Sequence, residues 1–151
     1  MIRPELFHPL ISHFPIGLLG CYPIALLLAF KWKEQMLATS RFLLYAGILG
    51  VFVSLYLGDM ALERILPSLC DIPRAYRHED QAYYLMYSSI LLVLIDVGEI
   101  AQKVKAQLAH YLKLLFAFVL VFFLYRSGHT GAELVYDYGA AVQSTQYCLK
   151  K

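Results

Sequence analysis

At 151 residues the chain has the length of one domain, but 60% hydrophobic and only 16% charged residues are the proportions of a membrane protein rather than a soluble one. The net charge of +2 comes without a basic run, which argues against a nucleic-acid partner. Three cysteines, Cys21, Cys70 and Cys148, have no CxxC or zinc-type spacing, which argues against a thiolate-held metal or iron–sulfur centre.

In chain order, the apolar blocks predict an all-α membrane protein: a single domain over 1–151 with four transmembrane helices at about 14–30, 42–57, 82–98 and 110–125. The first opens on Phe7-His8-Pro9-Leu10-Ile11-Ser12-His13-Phe14-Pro15-Ile16, two imidazoles and two prolines where a helix enters the bilayer. Pro15 and Pro23 predict kinks, and Lys31-Trp32-Lys33-Glu34 is a charged stop with an interfacial tryptophan. Leu18-Leu19-Gly20-Cys21 resembles a lipoprotein cleavage box. The apolar run continues past it, however, so Cys21 reads as a small buried residue within one span.

The second block carries Gly47, Gly50, Ser54 and Gly58 at spacings that share a helix face, with Asp59 directly after. Such a face is either a seam for close helix packing or a flat groove for a planar cofactor. A polar connection is predicted over 60–81, and loops of that length are often functional. After the fourth block Arg126-Ser127-Gly128 reads as a terminator, and 126–151 as a structured cap whose Leu134, Val135 and Val142 pack back on the bundle. Lys31, Lys33, Arg41, Lys103, Lys105 and Lys113 cluster at the two short connections. The positive-inside rule then makes that side cytoplasmic, in a bacterial inner membrane with both termini periplasmic.

The HP-x-x-x-HFPI opening and the terminal segment Gly128-His129-Thr130-Gly131-Ala132-Glu133-Leu134-Val135-Tyr136-Asp137-Tyr138-Gly139 resemble the bacterial membrane family called domain of unknown function 2231. His8, His13, Pro15, His129, Gly131, Leu134, Val135, Tyr136 and Gly139 match its pattern. Ala132 stands where relatives usually have a second glycine, and Tyr138 where many have a histidine. The resemblance implies a four-helix integral membrane protein and brings no established activity.

Topology supplies the candidate site. Odd-numbered spans start and even-numbered spans finish on one side, so His8, His13, Asp59, His78 and His129 all return to it, whereas His110 starts the fourth span on the other. Haem b suits such a set: His13, His78 and His129 are the preferred ligands, His8 supports them, and Gly47, Gly50 and Gly58 make room for the porphyrin. His8 and His13 lie five residues apart and so point about 140° away from each other on a regular helix. One regular helix therefore cannot place both on one ion. Alternatively a divalent metal takes His13, His78 and His129 with Asp59, or the histidines only tie helix ends in a non-catalytic membrane subunit or scaffold. Besides the lipid bilayer, the implied partners are a redox partner or other membrane subunits, including a second copy of the chain. A Cys70–Cys148 disulfide would pin the tail to the loop carrying His78. GxSxG, HExxH and phosphate-loop motifs are absent from the sequence.

Overall fold

The computed structural model describes residues 4–69 and 71–141, and among these the chain is four long helices. They are α1 (Phe7–Leu28), α2 (Lys33–Ile65), α3 (Ile72–Ile100) and α4 (Ala106–Tyr136). Each is long and apolar enough to cross a membrane, as the apolar blocks require. The surface is inverted relative to a soluble protein: Phe14, Leu49 and Phe118 are 66%, 64% and 72% exposed, while Asp96 and Lys113 are each 1% exposed. Cys21 is also exposed, so it points outward from α1 and is not the buried residue expected. Cys70, Cys148 and Val142, on which the proposed disulfide and part of the cap depend, lie outside the described residues.

Three boundaries differ from the sequence expectation, and all for one reason: polarity in this chain marks where a helix leaves the bilayer, not where it ends. Most of the polar stretch 60–81 is helical. α2 continues to Ile65, a single 3-10 turn covers Leu66–Ser68, and α3 starts at Ile72. Asp71 begins α3 by accepting the Arg74 backbone N–H at 3.3 Å, with Pro73 in the first turn, where its missing N–H is harmless. Likewise α4 runs through Ser127 and Gly128 to Tyr136, so the terminal motif is helical and continuous with the fourth span. Gly139 supplies the stop, with φ at 64° and its N–H donating to the Val135 carbonyl. Ala140 then packs with Leu134 and Ala75, which is the cap contact.

The helices stand in a square. α1 packs on α2 and α4, and α3 on the same two, so α1 and α3 face each other across the diagonal. Packing is denser within the hairpins α1–α2 and α3–α4 than between them. Leu19, Tyr22, Leu26, Leu44, Leu92 and Leu120 fill the middle. Both prolines stay inside one continuous α1, and Pro15 occupies the space beside Gly50. Gly47 admits Leu19, whose Cγ would lie 2.7 Å from an added Cβ. The glycine face is therefore a packing seam closed by α1, and no flat groove runs along it. Gly47→Ala should destabilise by about 1–3 kcal/mol, because buried Leu19 has nowhere to retreat. Thermal unfolding in detergent would read this.

The two hairpins repeat one another. Laying α1 on α3 with His8 over His78 superposes Pro15, Leu19, Tyr22 and Leu26 on Leu85, Ser89, Leu92 and Asp96, and all eight are buried. Laying α2 on α4 with Gly58 over Gly131 superposes Ser40, Leu44, Gly47 and Ala61 on Lys113, Ala117, Leu120 and Leu134, again all buried. Ser54 falls on Ser127 in the same register. Both hairpins start on the histidine side, so the repeat is a parallel one, related about an axis along the bundle.

Candidate functional site

Near that axis, at the histidine end, the repeat brings His8 of α1 and His78 of α3 together. Their ring centroids are 6.1 Å apart and their planes meet at 73°. Each imidazole is held by the helix that follows it in sequence. His8 Nδ1 donates to the Ser54 carbonyl of α2 at 2.9 Å. His78 Nδ1 lies 3.0 Å from the Thr130 hydroxyl oxygen of α4. The Thr130 hydroxyl has one proton, which it gives to the Arg126 and Ser127 carbonyls at 2.9 and 3.2 Å, so it accepts from His78. Both rings are thereby fixed as the tautomer with hydrogen on Nδ1, leaving Nε2 with its lone pair.

A glycine backs each ring. A Cβ on Gly58 would sit 3.1 Å from His8 Cε1 and Nδ1, and one on Gly131 would sit 3.0 Å from His78 Cε1. These two glycines make room for imidazoles, a role for Gly58 different from the expected porphyrin face. Ser12 completes the first half: its hydroxyl lies 2.7 Å from that of Ser54 and donates to the His8 carbonyl at 2.6 Å.

The other candidates lie apart from this pair. His13 is exposed and its Nδ1 bonds the Pro9 carbonyl of its own helix. His129 is exposed beside Tyr125, with ring centroids 5.8 Å apart, and Asp59 is exposed at the end of the glycine seam. Among the described residues no three His, Cys, Asp or Glu side chains converge as a metal-holding group, so His13, His78, His129 and Asp59 do not form the set expected for a divalent ion. His110 sits at the opposite end, edge-on to Phe30 at 4.8 Å.

Sequence reasoning passed over two arrangements. Arg74 donates to Asp71 Oδ2 at 2.9 Å and to Glu133 Oε1, and its guanidinium lies 4.5 Å from the Tyr138 ring centroid. It clamps the start of α3 to the end of α4 one turn from His78. The second is an ionic network near the lysine-rich end. Lys113 Nζ donates to Asp96 Oδ1 at 2.8 Å and Glu99 Oε2 at 2.6 Å. Arg41 Nε lies 3.2 Å from both Asp96 oxygens, and Tyr45 donates its hydroxyl to Asp96 at 3.0 Å. Lys113 and Asp96 read in the sequence as flanking charges, but each lies more than a turn inside its helix, so the signal was an ion embedded in an apolar run.

No curated protein and no solved structure gives a significant match to this chain. A family model does match, over residues 5–144, and its description is predicted membrane protein (DUF2231). Nearly the whole described structure lies inside that match, from the turn before His8 to the cap after Gly139. The chain therefore belongs to the DUF2231 family of predicted membrane proteins.

Proposed function

We propose that the protein is a small membrane haem protein in which His8 and His78 would hold a haem b and the bundle would pass electrons. The observation that carries this reading is the pair itself, two imidazoles across the bundle axis with ring centroids 6.1 Å apart and each Nδ1 already engaged. Metal–nitrogen bonds are about 2 Å long, so a ring-centroid separation of 6.1 Å would let both imidazoles reach one metal. A bare divalent ion takes three or four protein donors, and the pair offers two. Haem would bring most of the donors to its own iron and would need only two from the protein, so the count of donors favours it.

Bound haem would contribute one-electron chemistry. The chain's own residues do the rest. Ser54 and Thr130 fix the tautomer by accepting the two Nδ1 protons, which leaves Nε2 as the donor atom of each ring. Gly58 and Gly131 let the rings approach their neighbouring helices. The thinner packing between the hairpins would be the place for a planar group to enter. Such a protein would exchange electrons with a redox partner or a neighbouring membrane subunit at the histidine face, which the lysine distribution makes periplasmic.

A second reading has one observation in its favour: each histidine also ties its own helix to the next, as a purely structural residue in a membrane scaffold would. An absorption spectrum of the purified full-length chain separates the two. A Soret band that shifts on reduction supports haem. A colourless, folded, metal-free protein supports the scaffold, and a colourless one carrying divalent metal supports an ion at the same pair.

A further inference from the structure

The ionic network and the His8–His78 pair are separated by the leucine-rich middle of the bundle, and the following inference does not rest on haem at the pair. The repeat argues that such a position can be closed without ions. Where the second hairpin has Asp96, Glu99 and Lys113, the first has Leu26, Ala29 and Ser40; where the first has Arg41, the second has Leu114. The same bundle thus closes the same kind of position with apolar or small side chains. A buried ion pair is often no more stabilising than such residues, so a charge-rich copy in a membrane needs another reason.

Two independent features say what that reason is. The Tyr22 hydroxyl is buried and has no hydrogen-bond partner among the described residues, and it feels the charges of Asp96 and Glu99. A buried hydroxyl without a partner costs about 1–3 kcal/mol, and a water seated between it and the carboxylates removes that cost. In addition, a cavity of about 370 Å³ opens at the lysine-rich end between Phe30, Lys33, Leu37, Gln107, His110 and Tyr111, with Glu99 on its wall. Glu99 is the member of the network that meets this cavity, and Asp96 lies one turn deeper on the same helix.

We propose that Asp96, Glu99, Lys113, Arg41 and Tyr22 form a hydrated proton-binding site, filled from the lysine-rich face, in which Glu99 exchanges a proton with water in the cavity. Two carboxylates are ion-paired with two cations, so this set of four is neutral when all are ionised and gains one positive charge when Glu99 is protonated. Glu99 is faced by Tyr22 of α1, Arg41 of α2 and Lys113 of α4, shares those two cations with Asp96 of its own helix, and shares the cavity wall with Lys33 of α2 and His110 of α4. The proton moves from a cavity water to a Glu99 carboxylate oxygen as Lys113 and Arg41 turn fully to Asp96, and it leaves by the same route. The leucine-rich middle ends the path there, so the site binds protons from one side and does not conduct them.

Infrared difference spectra of the full-length protein in lipid nanodiscs, taken across a pH titration in H2O and D2O, test this. A protonated-carboxyl band is expected at the acid end, downshifted by deuterium, lost in Glu99→Gln and shifted in frequency in Tyr22→Phe. A titration without that band, or a band unchanged by Glu99→Gln, overturns the site. An unshifted band in Tyr22→Phe, together with a raised melting temperature, shows a dry hydroxyl and overturns the hydrated form proposed. Both variants keep the shape of the side chain they replace, and the His8–His78 pair lies outside the region they alter.

Discussion

Lys113→Met is expected to be among the most destabilising single substitutions in this bundle, by about 3–5 kcal/mol. The lysine is 1% exposed and is bonded to two carboxylates on a neighbouring helix, so its loss leaves Arg41 as their remaining ion-pair partner among the described residues. Arg41 is 35% exposed and reaches Glu99 only at 3.4 Å, so it cannot neutralise both carboxylates equally well. Methionine fills the volume of the lysine stem, which isolates the loss of charge from the loss of packing. The repeat supplies the control. Replacing the set by its counterparts, as Arg41→Leu, Asp96→Leu, Glu99→Ala and Lys113→Ser together, should recover most of the stability lost by Lys113→Met alone. Buried ions are costly chiefly when one partner is missing. Denaturant or thermal unfolding of both variants in the same detergent gives the comparison. A combined variant no more stable than the single one would show that the network is the glue between α3, α4 and α2, contrary to its role as a binding site.

The fold was legible because a bilayer asks for long apolar blocks, and four of these stand out in the sequence around Ile16, Leu49, Leu92 and Phe118. What could not be read was where the helices stop. Once a helix has left the hydrocarbon, nothing in its composition distinguishes it from a polar loop, so α2 beyond Asp59 and α4 beyond Arg126 were hidden. The repeat was invisible for a related reason. Its matching positions are buried residues of different identity, such as Leu26 with Asp96, and only His8 with His78, Ser54 with Ser127 and Gly58 with Gly131 keep the same letter. The candidate site was half legible. Topology brought the right side of the membrane together, but rotation about each helix axis decides which side chains point inward. That rotation is set by packing against neighbours, here by Pro15 on Gly50 and Leu19 on Gly47, and not by the motif itself. His8 and His13 illustrate it: they share one motif, and the packing of α1 turns His8 toward His78 and leaves His13 exposed.

That difference yields the second large effect. If the protein purifies with haem, His8→Ala and His78→Ala should each abolish the reducible Soret band, whereas His13→Ala and His129→Ala should leave it in place. The contrast follows from position and not from residue type, since all four are histidines on the same side. His8 and His78 stand across the bundle axis with their Nδ1 atoms bonded to Ser54 and Thr130. His13 turns to its own helix at Pro9, and His129 lies outside against Tyr125. Gly58→Ala and Gly131→Ala should fall between these groups, because a new Cβ about 3 Å from a ring atom pushes the imidazole without removing it. Their bands should weaken and shift while the helix content by circular dichroism stays that of the parent chain. Retention of the band in His8→Ala with its loss in His13→Ala would reverse the assignment of the ligand on α1. Loss in all four variants alike, with folding intact, would mean that the pigment depends on the histidine face as a whole and not on the pair at its centre.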